Sequence, residues 1–238
     1  SVIGPADQLD LLDKLAVEHG AAACALEMAK AKAISEAKKA LRGNFLEGLL
    51  AGTMPRKEIE RLEGRLDHNT GQPHAVLALK WTDPPAYSLR HLETTVNWVL
   101  NNHSRSALVH VYGDKHVCVF QQLKHAEDME TAHELGRRIE EQVKTEYPDG
   151  VLVTGMSGPA HTLTEWPQVY DEALQAMQLA ERLQIKQVVK FSSLGVYQLL
   201  VQLEAIPAVR SFTDQVIGPL VQYDEQHYRG HISRRSAD

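Results

Sequence analysis

Ala107-Leu108-Val109-His110-Val111-Tyr112-Gly113-Asp114-Lys115-His116-Val117-Cys118-Val119-Phe120 is the stretch that decides the fold. Two apolar runs rich in β-branched residues flank a Gly113-Asp114 pair, which is the signature of a tight β-hairpin. Upstream, Leu89, Leu92, Val96, Val99 and Leu100 recur at helical spacing across 87–102. Before them, Ala75 to Trp81 is apolar apart from Lys80 and reads as a buried strand, closed by Asp83-Pro84-Pro85. Downstream, a helix is predicted from Ala126 to Tyr147, ended by Pro148-Asp149-Gly150. Val151 to Met156 then reads as a strand and 163–184 as a helix, with Val169, Ala173, Ala176, Leu179, Ala180 and Leu183 on one face. A short strand from Gln187 to Phe191 and two small helices, near 194–204 and 206–222, complete the pattern. The order is strand, helix, hairpin, helix, strand, helix, strand. That βαββαβ core predicts an α+β, ferredoxin-like domain, an antiparallel sheet with helices packed on one face.

The first fifty residues have a different character. No proline falls between Ala6 and Leu50, and Gly20, Gly43 and Gly48 are the only helix-weakening residues there. Leu12, Ala16, Ala23, Leu26, Ile34, Ala37, Leu41, Phe45 and Leu49 recur at intervals of three and four. A helix of this length, about 65 Å, exceeds what a domain of this size can cover. The expected cover is a second copy of the chain, with Leu12, Ala16, Ala23, Leu26, Ile34 and Leu41 in the contact. The competing expectation is a break near Gly20 or Gly43, with the helix folding back on the core. Gly52-Thr53-Met54-Pro55 stops the helix, and a second begins at Pro55 and runs to about Leu66. The organisation that follows is a long helix over 1–52, a compact domain over 53–204 and a helical tail over 205–238.

Composition bounds the function. The chain has 238 residues, 43% hydrophobic and 24% charged, with a net charge of −6. Those are ordinary globular values. No apolar run reaches the length of a membrane helix and no signal-peptide core opens the chain. Cys24 and Cys118 stand far apart without a CxxC pair, which points to a reducing, cytoplasmic setting without disulfides. Lysine and arginine are dispersed, save for Lys38-Lys39-Arg42 and the run from Arg229 to Arg235, so duplex DNA is not expected to bind this chain alone. The chain opens on Ser1 and not Met, which makes a piece of a longer protein the expectation.

The element order and the Gly-Asp hairpin turn resemble the nucleotide-cyclase fold of GGDEF domains. Where an active diguanylate cyclase carries Gly-Gly-Asp-Glu-Phe, this chain has Tyr112-Gly113-Asp114-Lys115-His116. More closely, the chain resembles the CdaR/PucR family of bacterial transcription regulators. The strings that carry this are Phe45-Leu46-Glu47-Gly48-Leu49-Leu50-Ala51-Gly52 and Gly155-Met156-Ser157-Gly158-Pro159. Further along come Tyr170-Asp171-Glu172-Ala173-Leu174-Gln175-Ala176 and Phe191-Ser192-Ser193-Leu194-Gly195-Val196-Tyr197-Gln198-Leu199-Leu200. Ile217-Gly218-Pro219-Leu220 and Tyr223-Asp224 close the series. Such regulators place a GGDEF-like domain between an N-terminal sensor and a C-terminal helix-turn-helix, and Gln226 to Asp238 does not read as that motif. The resemblance therefore implies the central, signal-transmitting and dimerising region of a regulator. It implies a small-molecule effector sensed elsewhere, and DNA reached only through a helix-turn-helix that this stretch lacks.

Chemistry is weighed against that reading. Metal-assisted phosphoryl transfer needs carboxylates to hold divalent ions. Here Lys80 sits in the first strand and Lys115 stands where the catalytic glutamate of the turn belongs, leaving Asp114 alone with Asp83. The expectation is no enzyme, no cofactor and no metal. Ser157 lacks the glycine two residues on that a nucleophile elbow needs, Pro159 standing there instead, so this segment is expected to be a strand end and turn. His110, His116 and Cys118 on the hairpin, and His68 and His74 around a loop, show no zinc-site spacing and are expected to be ordinary solvated side chains. Trp81, Trp98 and Trp166 are expected in packing and not in base stacking. The alternative function is a binding module in which the degenerate cyclase cleft itself holds a nucleotide or metabolite.

Overall fold

The computed structural model describes residues 11–82 and 87–195. Asp83 and the small helices expected beyond 195 lie outside the described residues. Helix α1 runs unbroken over Leu11–Leu50 and α2 over Arg56–Glu63. The domain then follows as β1 (His74–Trp81), α3 (Leu89–Asn102), β2 (Ala107–Tyr112), β3 (His116–Gln122), α4 (Met129–Glu146), β4 (Leu152–Ala160), α5 (Trp166–Arg182) and β5 (Val189–Lys190).

The sheet order is β2-β3-β1-β4-β5, with β1 central and antiparallel to both neighbours. Only the short β4–β5 pairing is parallel. Every residue of β1 except Lys80 is buried, which is why it reads as an apolar run and not an alternation. Val76 and Ala78 pack with the end of α1, α2 and α5, while Ala75, Leu77, Leu79 and Trp81 pack with α3 and α4. The helices thus cover both faces of the sheet, and the expectation of helices on one face is corrected. A strand buried on both sides requires cover on both sides.

β4 departs further from expectation. It continues to Ala160, and its pairing with β1 shifts register between Ala75 and Leu77. Ser157 fills this bulge: Val76 N–H donates to its Oγ at 2.9 Å, and its own hydroxyl donates to the Gly158 carbonyl at 2.6 Å. The segment expected as strand end and turn is therefore a bulged strand, with Pro159 accommodated where ladder pairing is irregular.

α1 neither breaks nor folds back. Its last turns pack on the domain through Phe45, Leu46 and Leu49, with the Phe45 ring edge-on to Trp166 at 6.3 Å. Lys39 pairs with Glu93 at 2.7 Å, Lys38 with Asp67 at 3.6 Å, and His110 with Glu47 at 3.0 Å, fixing the direction in which the helix leaves. From Lys14 to Ala40 every residue is exposed.

Candidate functional site

The β2–β3 hairpin closes through a turn in which Lys115 N–H donates to the Tyr112 carbonyl at 3.1 Å. Gly113 and Asp114 both have positive φ, 55° and 52°, the backbone that a primed hairpin turn demands. This turn, the C-terminal end of β1, the start of α3 and one side of α5 enclose a cleft of about 820 Å³. Tyr112, Asp114, Lys115 and His116 line it together with Lys80, Trp81, Tyr87 and Tyr170.

The charge in the cleft is the reverse of what a cyclase needs. Lys80 projects from the half-buried end of β1 and pairs with Glu181 of α5 at 2.6 Å. Lys115 holds the third position of the turn. A pair of divalent ions needs converging carboxylates, and a donor set of Asp114 with two ammonium groups beside it does not fit one. Among the described residues, no cluster of three or more histidine, cysteine or acidic side chains could hold a metal ion.

Behind the turn lies an aromatic group. The Tyr112 ring stacks on His116 at 5.8 Å and tilts against Tyr170 at 5.5 Å, and His116 Nε2 is 2.9 Å from the Tyr170 hydroxyl. Burial, then the charges of Lys115, Lys80 and His110, push the His116 imidazole down to about 4. Burial raises the Tyr170 phenol and the Cys118 thiol above their ordinary values. At neutral pH the group is uncharged and offers hydrogen bonds, not a nucleophile or a general base.

Two expectations about histidine are corrected. His116 and His74 are buried, not solvated, because each has a neutral partner inside the core. His74 Nδ1 is 2.7 Å from the Gln72 carbonyl, which can only accept, so that nitrogen carries the proton. His74 Nε2 then accepts from His68 Nε2–H at 2.7 Å, and His68 Nδ1 faces the Ser106 hydroxyl at 3.3 Å. His110 and His116 lie on the same face of the hairpin, with the Tyr112 ring in contact with both.

The sequence-predicted turn, Tyr112 to His116, is thus assembled at the cleft with Lys80. Its α5 wall, Tyr170, Leu174, Met177 and Glu181, was missed, although these residues repeat at three- and four-residue spacing beside the core stripe of that helix. Among the residues assigned to dimerisation, Leu12, Ala16, Ala23, Leu26 and Ile34 are exposed. Leu41 is the exception, since it packs against the domain's own core.

A compact α+β domain with a cyclase-type hairpin and a cleft beside it defines a class. The chain matches the GGDEF-like domain family over residues 51–179, more than half its length, and it belongs to that family. No curated protein matches it. Among solved structures it is similar to the active GGEEF domain of a diguanylate cyclase from Vibrio cholerae, at 14% identity and a TM-score of 0.40, covering 57% of this chain and 88% of that one. It is also similar to a regulator of polyketide synthase expression from Bifidobacterium adolescentis, at 14% identity and a TM-score of 0.40, covering 60% of this chain. The chain spans about half the length of that second protein, at 53%.

Proposed function

We propose that this chain is the signal-transmitting and dimerising region of a CdaR/PucR-type transcription regulator, and that its GGDEF-like domain is not catalytic. The observation that carries the reading is the cleft, where Lys80 and Lys115 stand among residues that would have to hold divalent ions. A cleft of that charge has no means to stabilise metal-bound triphosphate. The projecting α1, whose exposed length leads away from the domain, supplies a route for signal and partner alike. Unpaired cysteines, with Cys118 buried and Cys24 exposed, support a reducing cytoplasmic setting. Among the described residues, no helix is long and apolar enough to cross a membrane. DNA contact belongs to a separate helix-turn-helix in this reading. The test is incubation of the purified chain with GTP and magnesium, followed by nucleotide chromatography. GTP recovered unchanged is expected, and formation of a cyclic dinucleotide overturns the proposal.

A second reading rests on the walls of the same cleft. Trp81, Tyr87, Tyr112 and Tyr170 offer ring faces, and Lys80 and Lys115 offer cations, a setting suited to a planar organic anion. Thermal shift with nucleotides and aromatic carboxylates tests it. A shift lost in Lys115→Ala favours it, and no shift with any of them counts against it.

A further inference from the structure

We propose that α1 pairs with α1 of a second copy in antiparallel orientation, crossing near Ala23. This rests on the dimerising role proposed above and names the geometry of the contact.

At about 100° per residue, Leu12, Leu15, Ala16, His19, Ala23, Leu26, Lys30, Ala33, Ile34 and Ala37 fall within one arc of about 100°. All of them are exposed, with Leu12 at 72%, Leu26 at 69% and Ile34 at 51%. On the same projection the arc is turned by more than about 100° from Phe45, Leu46 and Leu49, the face that meets the domain. The chain's own domain therefore leaves the stripe uncovered, and contiguous exposed apolar surface of this kind marks a protein contact.

Two side chains in the stripe decide the orientation. Lys30 and His19 lie near its centre line. In a parallel, in-register pair each would face its own copy, placing ammonium against ammonium in the middle of the contact, which is destabilising. Antiparallel pairing about Ala23 sets His19 opposite Glu27 of the second copy. It sets Lys30 opposite the small Ala16, one half-turn from Glu18. Within one chain Glu27 and Glu18 already attract cations, pairing with Lys30 at 3.9 Å and Lys14 at 4.0 Å. The large groups fit in the same register. Leu12 meets Ile34, Leu26 meets Gly20, and Ala23 meets Ala23, so the backbones approach closely at the crossing. A Cβ added at Gly20 would touch nothing in the chain itself, so the space opposite Leu26 is open. The partner helix reaches only to about residue 35, ahead of the turns occupied by the domain, and the two domains lie at opposite ends of the pair.

Disulfide trapping in a Cys24→Ser background distinguishes the arrangements, because a disulfide needs Cα atoms within about 7 Å. In the antiparallel pair, two copies of residue 12 lie about 33 Å apart along the axis. Leu12→Cys and Ile34→Cys proteins, mixed and oxidised gently, are expected to give a cross-linked heterodimer band. Ala23→Cys is expected to cross-link to itself, and Leu12→Cys alone to give none. Self-linking of Leu12→Cys and of Ile34→Cys, without the mixed product, means a parallel pair and overturns the orientation while leaving the dimer standing. A chain monomeric by light scattering at about 50 µM, with no cross-link at any position, overturns the dimer itself.

Discussion

Ser157 shows how much one side chain decides. Its hydroxyl takes the place of a missing ladder partner for Val76 N–H, inside a sheet where water cannot substitute. Ser157→Ala leaves that donor buried and unsatisfied, and is expected to cost about 1–3 kcal/mol, read as a lower urea midpoint with an unchanged slope. From the sequence, Ser157 was weighed only as a nucleophile or a turn. The register shift that gives it this role arises between two strands some eighty residues apart, and no local spacing reports it. The turn residues Tyr112 to His116 were legible for the opposite reason, since the Gly-Asp backbone requirement is local. Lys80 and Lys115 could likewise be placed in the cleft because both follow directly from strand ends.

Among the elements, α5 and β4 are locked by the absence of a side chain. A Cβ at Gly155 would stand 2.2 Å from the Ala173 carbonyl oxygen and 2.2 Å from Met177 N, both backbone atoms of α5. Gly155→Ala must push α5 off the sheet and with it Tyr170 and Met177, two walls of the cleft. The expected loss is about 3 kcal/mol or more in a melt, exceeding ordinary overpacking because backbone cannot rotate away. A loss below about 1 kcal/mol would show that the helix slides freely. Periodicity located both elements, and the buried, two-sided β1 was read from its unbroken apolar run. The placement of helices on both faces was misread because a run of that kind states that a strand is covered without stating from where.

For the molecule as a whole, three imidazoles set an acid limit. His68, His74 and His116 are each pushed down to about 4, chiefly by burial. In the unfolded chain they take up protons near the ordinary histidine value of about 6.5. Between these values the unfolded state binds more protons, so stability is complete above about pH 6.5 and falls as pH drops toward 4. Each proton contributes a slope approaching about 1.4 kcal/mol per pH unit. His68 and His74 share one hydrogen at 2.7 Å, so protonating either ring sets two N–H groups face to face and breaks the relay. Urea unfolding at pH 7 and pH 5 checks this: a markedly lower midpoint at pH 5 is expected, and equal midpoints refute it. The sequence supplied the histidines but not their burial, which depends on Trp166 closing over His74 from another helix.

The attachment of α1 has a mechanical consequence. The helix is anchored over its last ten residues and free of its own domain for the thirty before them, an arm of about 45 Å. A tilt of about 10° at the anchor sweeps the far end through about 8 Å, so the arm is a displacement amplifier. Its fulcrum is Glu47 against His110, two residues before the ring of Tyr112 at the edge of the cleft. Movements at that ring too small to alter the sheet become ångström-scale travel at the tip.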